Sequence, residues 1–427
     1  MPRAESVDEQ HFDVVIVGAG VAGAMVGVLC SKAGLRCLLV DRQRFPRHKV
    51  CGCCVNDRAV RMLRRAGLEA SLRQLHPVTT SSLAIRYRGR RLDLSMPQSV
   101  AVSRRVFDQW LIDEAVAAGC RFIDDVTASV EPLPIDDSRS KVGAESNLAN
   151  ERIVELRSSS APAIDANDKS ETHPNIVSTA SASTAVSRVF AKVVIVCDGL
   201  GHPSLHRLHD FKAVAKNGSR IGLGAVFPRT SDDDWIRSGE ILMAVAAHGY
   251  AGIVEIENRQ LNLASAIDPE HLQKSKSPLA SLQAIFQSAG IPEPRQLAGA
   301  TIKGTVPLTR TAEKITGHRL FLLGDSTGYV EPFTGEGMAW ALTAATAVAP
   351  VVVDVVRDGW SDDRTASWQK TFRGIVGREQ KICRLLSAAL KRPWLLPPIL
   401  TTCRLFPSLT RRLVGQINRV PEALDIL

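Results

Sequence analysis

Apolar and polar positions follow two different periods along this chain. Phe12–Val17 is a short β-branched run that stops at a cluster of glycines. An apolar stretch of helical character follows to about Ala33, and Leu35–Val40 is a second continuous apolar run. The spacing predicts a β-α-β unit of about 30 residues, the length that a parallel crossover needs.

Further along, residues 56–75 read as helix, with Val60, Leu63 and Leu68 near one face. Ile85–Leu94 reads as strand, Arg105–Ala118 as helix and Arg121–Val130 as strand. From about Pro132 to Ser187 the chain turns rich in Ser, Ala, Asp and Asn and loses its period. A long, partly disordered polar insertion is expected there, carrying strand fragments such as Glu151–Leu156. Order resumes at Val189–Val196. Segments 219–228, 240–247, 250–257 and 260–267 alternate apolar with polar, which predicts the antiparallel sheet of a second domain. Arg319–Leu323 is a further buried strand, a helix is expected from about Gly335 to Val356, and the tail beyond 365 reads as helical. Residues 1–11 read as a polar, disordered leader.

The fold class is therefore α/β. A Rossmann-type, doubly wound parallel sheet is interleaved with an antiparallel-sheet substrate domain and followed by a helical C-terminus. The expected divisions are 12–75, 101–215 and 311–350 for the nucleotide domain, 76–100 and 216–310 for the substrate domain, and 351–427 for the helical region.

The 427 residues suffice for such a multi-domain core, and 45% hydrophobic with 23% charged residues is ordinary for a globular chain. A net charge of +9 raises nucleic acid as a partner, but no zinc finger, RNP motif or basic–aromatic stripe accompanies it, so none is expected. Nine scattered cysteines and the absence of a secretory signal predict a reducing, cytoplasmic setting. No apolar run of about 18 residues is apparent, so no spanning helix is expected.

Gly18-Ala19-Gly20-Val21-Ala22-Gly23 spells GxGxxG between a strand and a helix, and Asp41 ends the next strand. Gly18 permits the tight turn, Gly20 lets a pyrophosphate approach the backbone, and Gly23 lets helix and strand pack closely. The helix N-terminus offers unpaired N–H groups to phosphate, and Asp41 can accept hydrogen bonds from a ribose. This unit alone does not separate FAD from NAD.

Three further segments decide between them: Ser103-Arg104-Arg105-Val106-Phe107-Asp108; Val193-Val194-Ile195-Val196-Cys197-Asp198-Gly199; and Leu322-Leu323-Gly324-Asp325-Ser326, continuing through Gly328 and Pro332 to Gly335-Glu336-Gly337-Met338. Together with the glycine unit they resemble the flavoprotein superfamily of para-hydroxybenzoate hydroxylase-like monooxygenases and geranylgeranyl reductases. The resemblance covers roughly 12–130 and 188–350, in the family's order. It implies FAD as cofactor, with Asp325 at the ribityl chain, Arg104 near the phosphates, and Asp198-Gly199 near the cofactor and the domain junction. The helix after Thr334 would point its N-terminus at the flavin pyrimidine, where a dipole and backbone donors stabilise the anionic reduced ring. Arg42, Lys49, Gly52 and Val126 complete the implied cofactor-binding set.

Phe45-Pro46-Arg47-His48-Lys49-Val50-Cys51-Gly52 resembles the FPRxKxCG segment of the geranylgeranyl-reductase branch, which makes Cys51 the candidate flavin neighbour and catalytic residue. Cys53 and Cys54 follow where that branch often has a second glycine. A CxCC cluster without a second ligand pair does not make a structural zinc site, so no metal is expected. The branch's YxWxFP-like segment is matched here only by Tyr250, and the WxWxIP of flavin halogenases is absent. The leading expectation is thus a flavin monooxygenase acting through O2 on a large apolar, aromatic or polyketide-like substrate. Double-bond reduction of an isoprenoid or lipid is the alternative. A non-catalytic lipid-binding module of the GDP-dissociation-inhibitor type is a remote third.

No second dinucleotide fingerprint appears, so NAD(P)H is expected as a transient electron donor. Leu223, Ala225, Met243, Val245, Ile253, Leu261 and Leu263 are the expected pocket-facing positions of the second sheet. Residues 383–414 interleave Leu385, Trp394 and Ile399 with Arg384, Lys391, Arg392 and Arg404, a pattern compatible with peripheral contact to an anionic membrane.

Overall fold

The computed structural model describes residues 10–133, 150–158, 186–331, 333 and 335–406, together with isolated positions 408, 412 and 415. The leader at 1–9, most of the polar insertion and Pro332 lie outside the described residues.

The nucleotide half begins with β1 (Gln10–Val17), α1 (Val21–Lys32) and β2 (Cys37–Val40), then β3 (Cys54–Val55), α2 (Asp57–Arg65) and α3 (Glu69–Gln74). The single helix expected at 56–75 is two helices, because the chain turns at Gly67 with φ +78°. A long hairpin follows, β4 (Val78–Tyr87) and β5 (Arg90–Ala101), then α4 (Arg104–Ala117), β6 (Arg121–Ile123), β7 (Val126–Val130), β8 (Arg152–Ser158) and β9 (Val186–Val196). The run expected as one strand at 121–130 is broken by Asp125, which sits in the left-handed region at φ +55°. Ser103 caps α4 by accepting from the Val106 N–H at 3.2 Å.

Next come β10 (Ala213–Ala215), β11 (Ile221–Pro228), β12 (Glu240–Ala246), β13 (Gly249–Ile256), β14 (Gln260–Ile267), α5 (Pro269–Lys274) and α6 (Pro278–Ala289). The chain returns through β15 (Lys303–Pro307), β16 (Arg310–Ala312), β17 (Thr316–Gly317), β18 (Leu320–Leu322) and β19 (Gly328–Tyr329) to α7 (Gly337–Asp358). It continues in α8 (Asp362–Phe372), α9 (Arg378–Leu390) and α10 (Leu396–Leu405). The division placed at 350/351 falls inside α7, which runs unbroken past Pro350.

One sheet has the order β17-β18-β9-β1-β2-β6, with β18, β9, β1, β2 and β6 parallel. Its strands carry near-continuous apolar runs because both faces are covered. On one face lie α1, α4 and α7; on the other lie β7, β8 and the segment around Leu205. A second sheet has the order β15-β11-β14-β13-β12-β4-β5-β3. It is antiparallel throughout except where β12 joins β4 in parallel, so it is mixed rather than purely antiparallel. One face of it packs on α6, whose residues Leu282, Ile285 and Phe286 the sequence pattern did not single out. The opposite face turns toward the nucleotide half and is partly covered by Leu390, Leu396 and Leu400 of the C-terminal helices.

α7 has 22 residues, and an 18-residue window of it has mean hydropathy 1.8, which is long and apolar enough to cross a membrane by length and composition, although no such run was apparent in the sequence. It is buried in the core against α1 and α2.

Candidate functional site

At the end of β1, Gly18 adopts φ +101°, and a Cβ there would lie 2.4 Å from the Cys197 carbonyl oxygen. A Cβ on Gly23 would lie 1.9 Å from the Gly18 carbonyl oxygen. Neither position admits a side chain. Gly20 caps α1 without any side-chain acceptor for the first-turn N–H groups. Its bare Cα faces two guanidinium groups: a Cβ would be 3.7 Å from Arg47 Nη2 and 3.9 Å from Arg104 Nη2. Arg104 is held in a two-point ion pair by Asp108, at 2.6 and 2.7 Å, and Arg47 Nη1 lies 3.4 Å from the same carboxylate. Arg104, buried, and Arg47, 13% exposed and also 4.0 Å from Asp41, converge on the Asp108 carboxylate beside an open helix N-terminus, a setting that suits a pyrophosphate. Arg47 Nε has no hydrogen-bond partner among the described residues. Arg47 was not singled out from sequence as a ligand, although it stands within the FPRHKVCG segment.

Asp41 ends β2. Its Oδ2 accepts from the Ala19 N–H at 2.8 Å and its Oδ1 from the Gln43 N–H at 2.9 Å, so it pins the glycine turn from below. The Val126 N–H donates to the Asp41 carbonyl at 2.9 Å, and Arg42 stands exposed at this rim.

From Gly20 a single cleft runs past Val21, Ala22 and Arg104 to Lys49, Cys51 and Gly52, then to Gly199, Gly324 and Asp325 and the N-terminus of α7 at Gly335, Gly337 and Met338. Its atom-free space is about 1390 Å³, open mouth included. Lys49 Nζ donates to Asp325 Oδ2 at 3.0 Å across this cleft. The Asn262 side-chain amide donates to the Cys51 carbonyl at 2.9 Å and ties the loop to the second sheet.

Asp198 and Glu336 stand apart from the cleft wall, as do Gly18, Gly23, Asp41, Arg42 and Val126. Asp198 accepts from the Ser204 N–H at 2.8 Å and from Ser326 Oγ at 3.1 Å, so it braces the turn behind Gly199. Burial raises its pKa. Glu336 is buried as the N-cap of α7, with its neighbours on either side facing the cleft.

The substrate half is hollowed by small residues. On the face turned to the cleft, Gly222, Gly252, Ala264 and Ala266 sit opposite one another in register, with Ile241, Met243 and Tyr250 beside them. Of the seven positions expected here, Met243 lines the cleft and Val245 packs on the same side, while Ile253 reaches the cleft edge but packs beside Leu263 under α6. Leu223, Ala225, Leu261 and Leu263 do not: strand alternation points them to the other face, under α6. The sequence reading took the bulky positions as pocket wall, whereas the pocket exists where the side chains are smallest.

One polar spot interrupts this apolar wall. The buried Tyr250 hydroxyl neighbours the Glu331 carboxylate, and Tyr250 meets Phe333 edge-on at 5.1 Å. Glu331 is paired at 3.2 Å with Arg220, which also holds Asp268 at 2.9 Å. Burial, then the Glu331 charge, pushes the Tyr250 hydroxyl well above an ordinary phenol. Arg220 and Glu331 were missed from sequence. Glu331 lies between two recognised glycine motifs and was within reach; Arg220 carried no signal.

Cys51 sits on the cleft wall. A hydrogen bond from Cys53 and the charge of Arg104 pull its thiol below the ordinary range, against the effect of burial. Among the described residues, no three His, Cys, Asp or Glu side chains gather to hold a metal.

Residues 11–139 match a family model described as FAD binding domain. The chain is an FAD-dependent oxidoreductase. The residues present fit the cofactor: a cradle that a Cβ would fill, a dication at the helix N-terminus and an acid at Asp325. This flavoenzyme is 25% identical over 404 residues to menaquinone reductase of Mycobacterium tuberculosis, covering 92% of the chain and 87% of that protein. It is 23% identical over 370 residues to squalene monooxygenase of Eremothecium gossypii, covering 81% and 70%. A flavoprotein/dehydrogenase from Cytophaga hutchinsonii shares the fold, with TM-score 0.72 at 15% identity over 96% of this chain and 93% of that one.

Proposed function

We propose that this oxidoreductase is a flavin monooxygenase that inserts one atom of O2 into a large, apolar, ring-bearing substrate. The observation that carries this reading is the Gly/Ala-floored apolar cavity, continuous with the cofactor cradle and holding the Tyr250–Glu331 pair. FAD supplies two-electron transfer and, once reduced, reactivity toward O2. The chain's own residues keep water out, hold the ring, and orient its oxygen substituent at Tyr250. Similarity to a squalene monooxygenase supports oxygen insertion into an apolar molecule. NAD(P)H is the proposed electron donor, bound only transiently.

A second reading is reduction of a carbon–carbon double bond. Similarity to menaquinone reductase along most of the chain favours it. Tyr250 would then serve as the proton donor. Turnover under 18O2 with mass analysis of product separates the two. One labelled oxygen in the product supports the monooxygenase; gain of two hydrogens with no label replaces it by the reductase.

We further infer that the enzyme works in the cytoplasm and draws substrate from an anionic lipid surface. Leu385, Trp394 and Leu405 are 72, 71 and 67% exposed on helices whose other faces cover the cavity wall. Arg384, Lys391, Arg392 and Arg404 stand exposed among them, complementary to anionic headgroups. Cosedimentation with phosphatidylserine vesicles should fall several-fold in a Trp394→Ser, Arg392→Glu variant. Equal binding by wild type and variant would remove the inference.

A further inference from the structure

A second groove adjoins the loop that walls the flavin cleft. Lys49, Val50 and Cys51 line both openings, so one loop separates them. The groove has about 1130 Å³ of atom-free space, open mouth included. Its origin is a gap in the second sheet. β11 pairs with β14 along its whole length, Ile221 to Pro228, but β15 begins only at Lys303, opposite Gly224. Beyond Gly224 no described strand flanks β11 on that edge, and the chain from Gln296 to Lys303 forms the opposite bank. The loop seats directly on β11: a Cβ at Gly224 would lie 3.0 Å from Val50 Cγ1.

The groove carries charge of one sign. Among the described residues no carboxylate lines it, whereas His48 and Lys303 stand exposed at its rim. Arg105, exposed in the first turn of α4, is near enough for its charge to act on His48, as that of Lys303 does. Burial and then these two charges hold the His48 ring below the usual histidine range. None of the three side chains has an ion-pair partner among the described residues. Lys49, by contrast, is committed to Asp325. Basic groups gathered at a concave sheet edge without a counter-ion make a field that concentrates an anionic ligand.

We propose that this groove binds the 2′-phosphate of a nicotinamide dinucleotide, with Lys303 and Arg105 as its permanent cations and His48 as a hydrogen-bond donor, and so selects NADPH over NADH. The inference rests on the reading of NAD(P)H as electron donor and names the form used. A phosphate monoester carries about −1.5 to −2 charges at neutral pH and three acceptor oxygens, a match for two permanent cations. A dinucleotide anchored here is divided from the flavin cleft by the single loop that bears Cys51. Anchoring at the phosphate end leaves the nicotinamide free to come and go, which suits a donor without a glycine fingerprint of its own. The donor gives one hydride, two electrons with one proton, to FAD and departs as NADP+.

The test uses full-length, FAD-loaded protein. Isothermal titration with 2′,5′-ADP and with 5′-AMP isolates the phosphate contribution without turnover. The bisphosphate should bind at least about tenfold more tightly, the scale of one charge-assisted hydrogen bond. Lys303→Gln alone should weaken it several-fold. In a Lys303→Glu, Arg105→Glu variant that retains its visible flavin absorbance, the two affinities should converge. Anaerobic stopped-flow reduction should follow the same order, faster with NADPH than with NADH in the wild type and without that advantage in the double variant. Equal affinities in the wild type, an undiminished preference in the variants, or a flavin reduced by neither dinucleotide would each overturn the proposal. Photoreduced enzyme turned over under 18O2 needs no nicotinamide, so oxygen insertion is judged separately from this site.

Discussion

Lys49 and Asp325 are 276 positions apart in sequence and 3.0 Å apart in space. Their ion pair joins the loop after β2 to the turn after β18 and so closes the cofactor cleft from both sides. Both side chains are partly exposed, at 36 and 21%, so the pair itself adds little to stability. Its value lies in placing Asp325 where a polyol chain passes. Asp325→Ala should weaken FAD binding by about 1.5–3 kcal/mol, roughly ten- to hundredfold. Flavin fluorescence titration of apoprotein measures this directly, and an unchanged Kd would refute the assignment of Asp325.

Tyr250→Phe removes the hydroxyl beside Glu331 in the cavity wall and leaves the Arg220–Glu331 pair in place. FAD content should stay constant while kcat/KM falls about ten- to hundredfold, the range of a lost buried hydrogen bond of roughly 1–3 kcal/mol. Steady-state kinetics on a phenolic substrate provide the check. No change in kcat/KM would mean that the substrate binds without Tyr250.

Gly252→Leu tests the floor of the cavity. A Cβ at Gly252 already comes within 2.7 Å of Met243 Sδ, and the longer side chain then fills the space between β12 and β14. Bulky substrates should be lost while flavin absorbance is retained. If turnover of large substrates survives, the cavity lies elsewhere.

Arg58 holds the C-terminal helices to the nucleotide half. It is 1% exposed and donates to Thr343 Oγ1 at 3.1 Å, Glu379 at 3.0 Å and the Ile375 carbonyl at 2.7 Å. The last acceptor lies in a π-turn, Arg373–Gly377, where the ordinary helical pairing is interrupted. Arg58→Ala strands a buried carboxylate and should cost about 3–5 kcal/mol in urea unfolding. A loss below 1 kcal/mol, about the worth of a surface pair, would count against this tie.

Cys51 should react with iodoacetamide at lower pH than an unfolded cysteine does, because its thiol is held below the ordinary range by Cys53 and Arg104. The sign follows from linkage: the thiolate contact stabilises the fold fully above the unfolded thiol's pKa, and that contribution fades as pH falls through the depressed native value. Alkylation rates of native and urea-unfolded protein against pH make the comparison; superimposed profiles would exclude the shift.

Much of this site was legible in sequence because its parts are backbone devices. Gly18 and Gly23 are fixed by clashes that no side chain survives, and a strand–glycine–helix pattern announces them together with Gly20. Lys49, Cys51, Asp325 and Gly337 stood inside motifs and reach one cleft. Asp198 shows the limit of that reasoning: the motif located the residue, but its carboxylate is engaged by Ser204 and Ser326. The pocket wall was harder still. Alternation reveals that a strand has two faces, not which of them meets a helix, so without α6 in view the large residues were assigned to the wrong side. The Arg220–Glu331–Tyr250 cluster joins three distant segments through tertiary packing alone, and no local pattern encodes it.

Leu390, Leu396 and Leu400 come after every strand in the chain, yet they cover a wall built from β4, β12 and β13. Until they arrive, Leu83, Tyr87 and Val245 face water on an otherwise finished sheet. Premature termination anywhere before α9 would therefore yield a sticky, open half-cavity, and the substrate wall is complete only once α9 and α10 have docked.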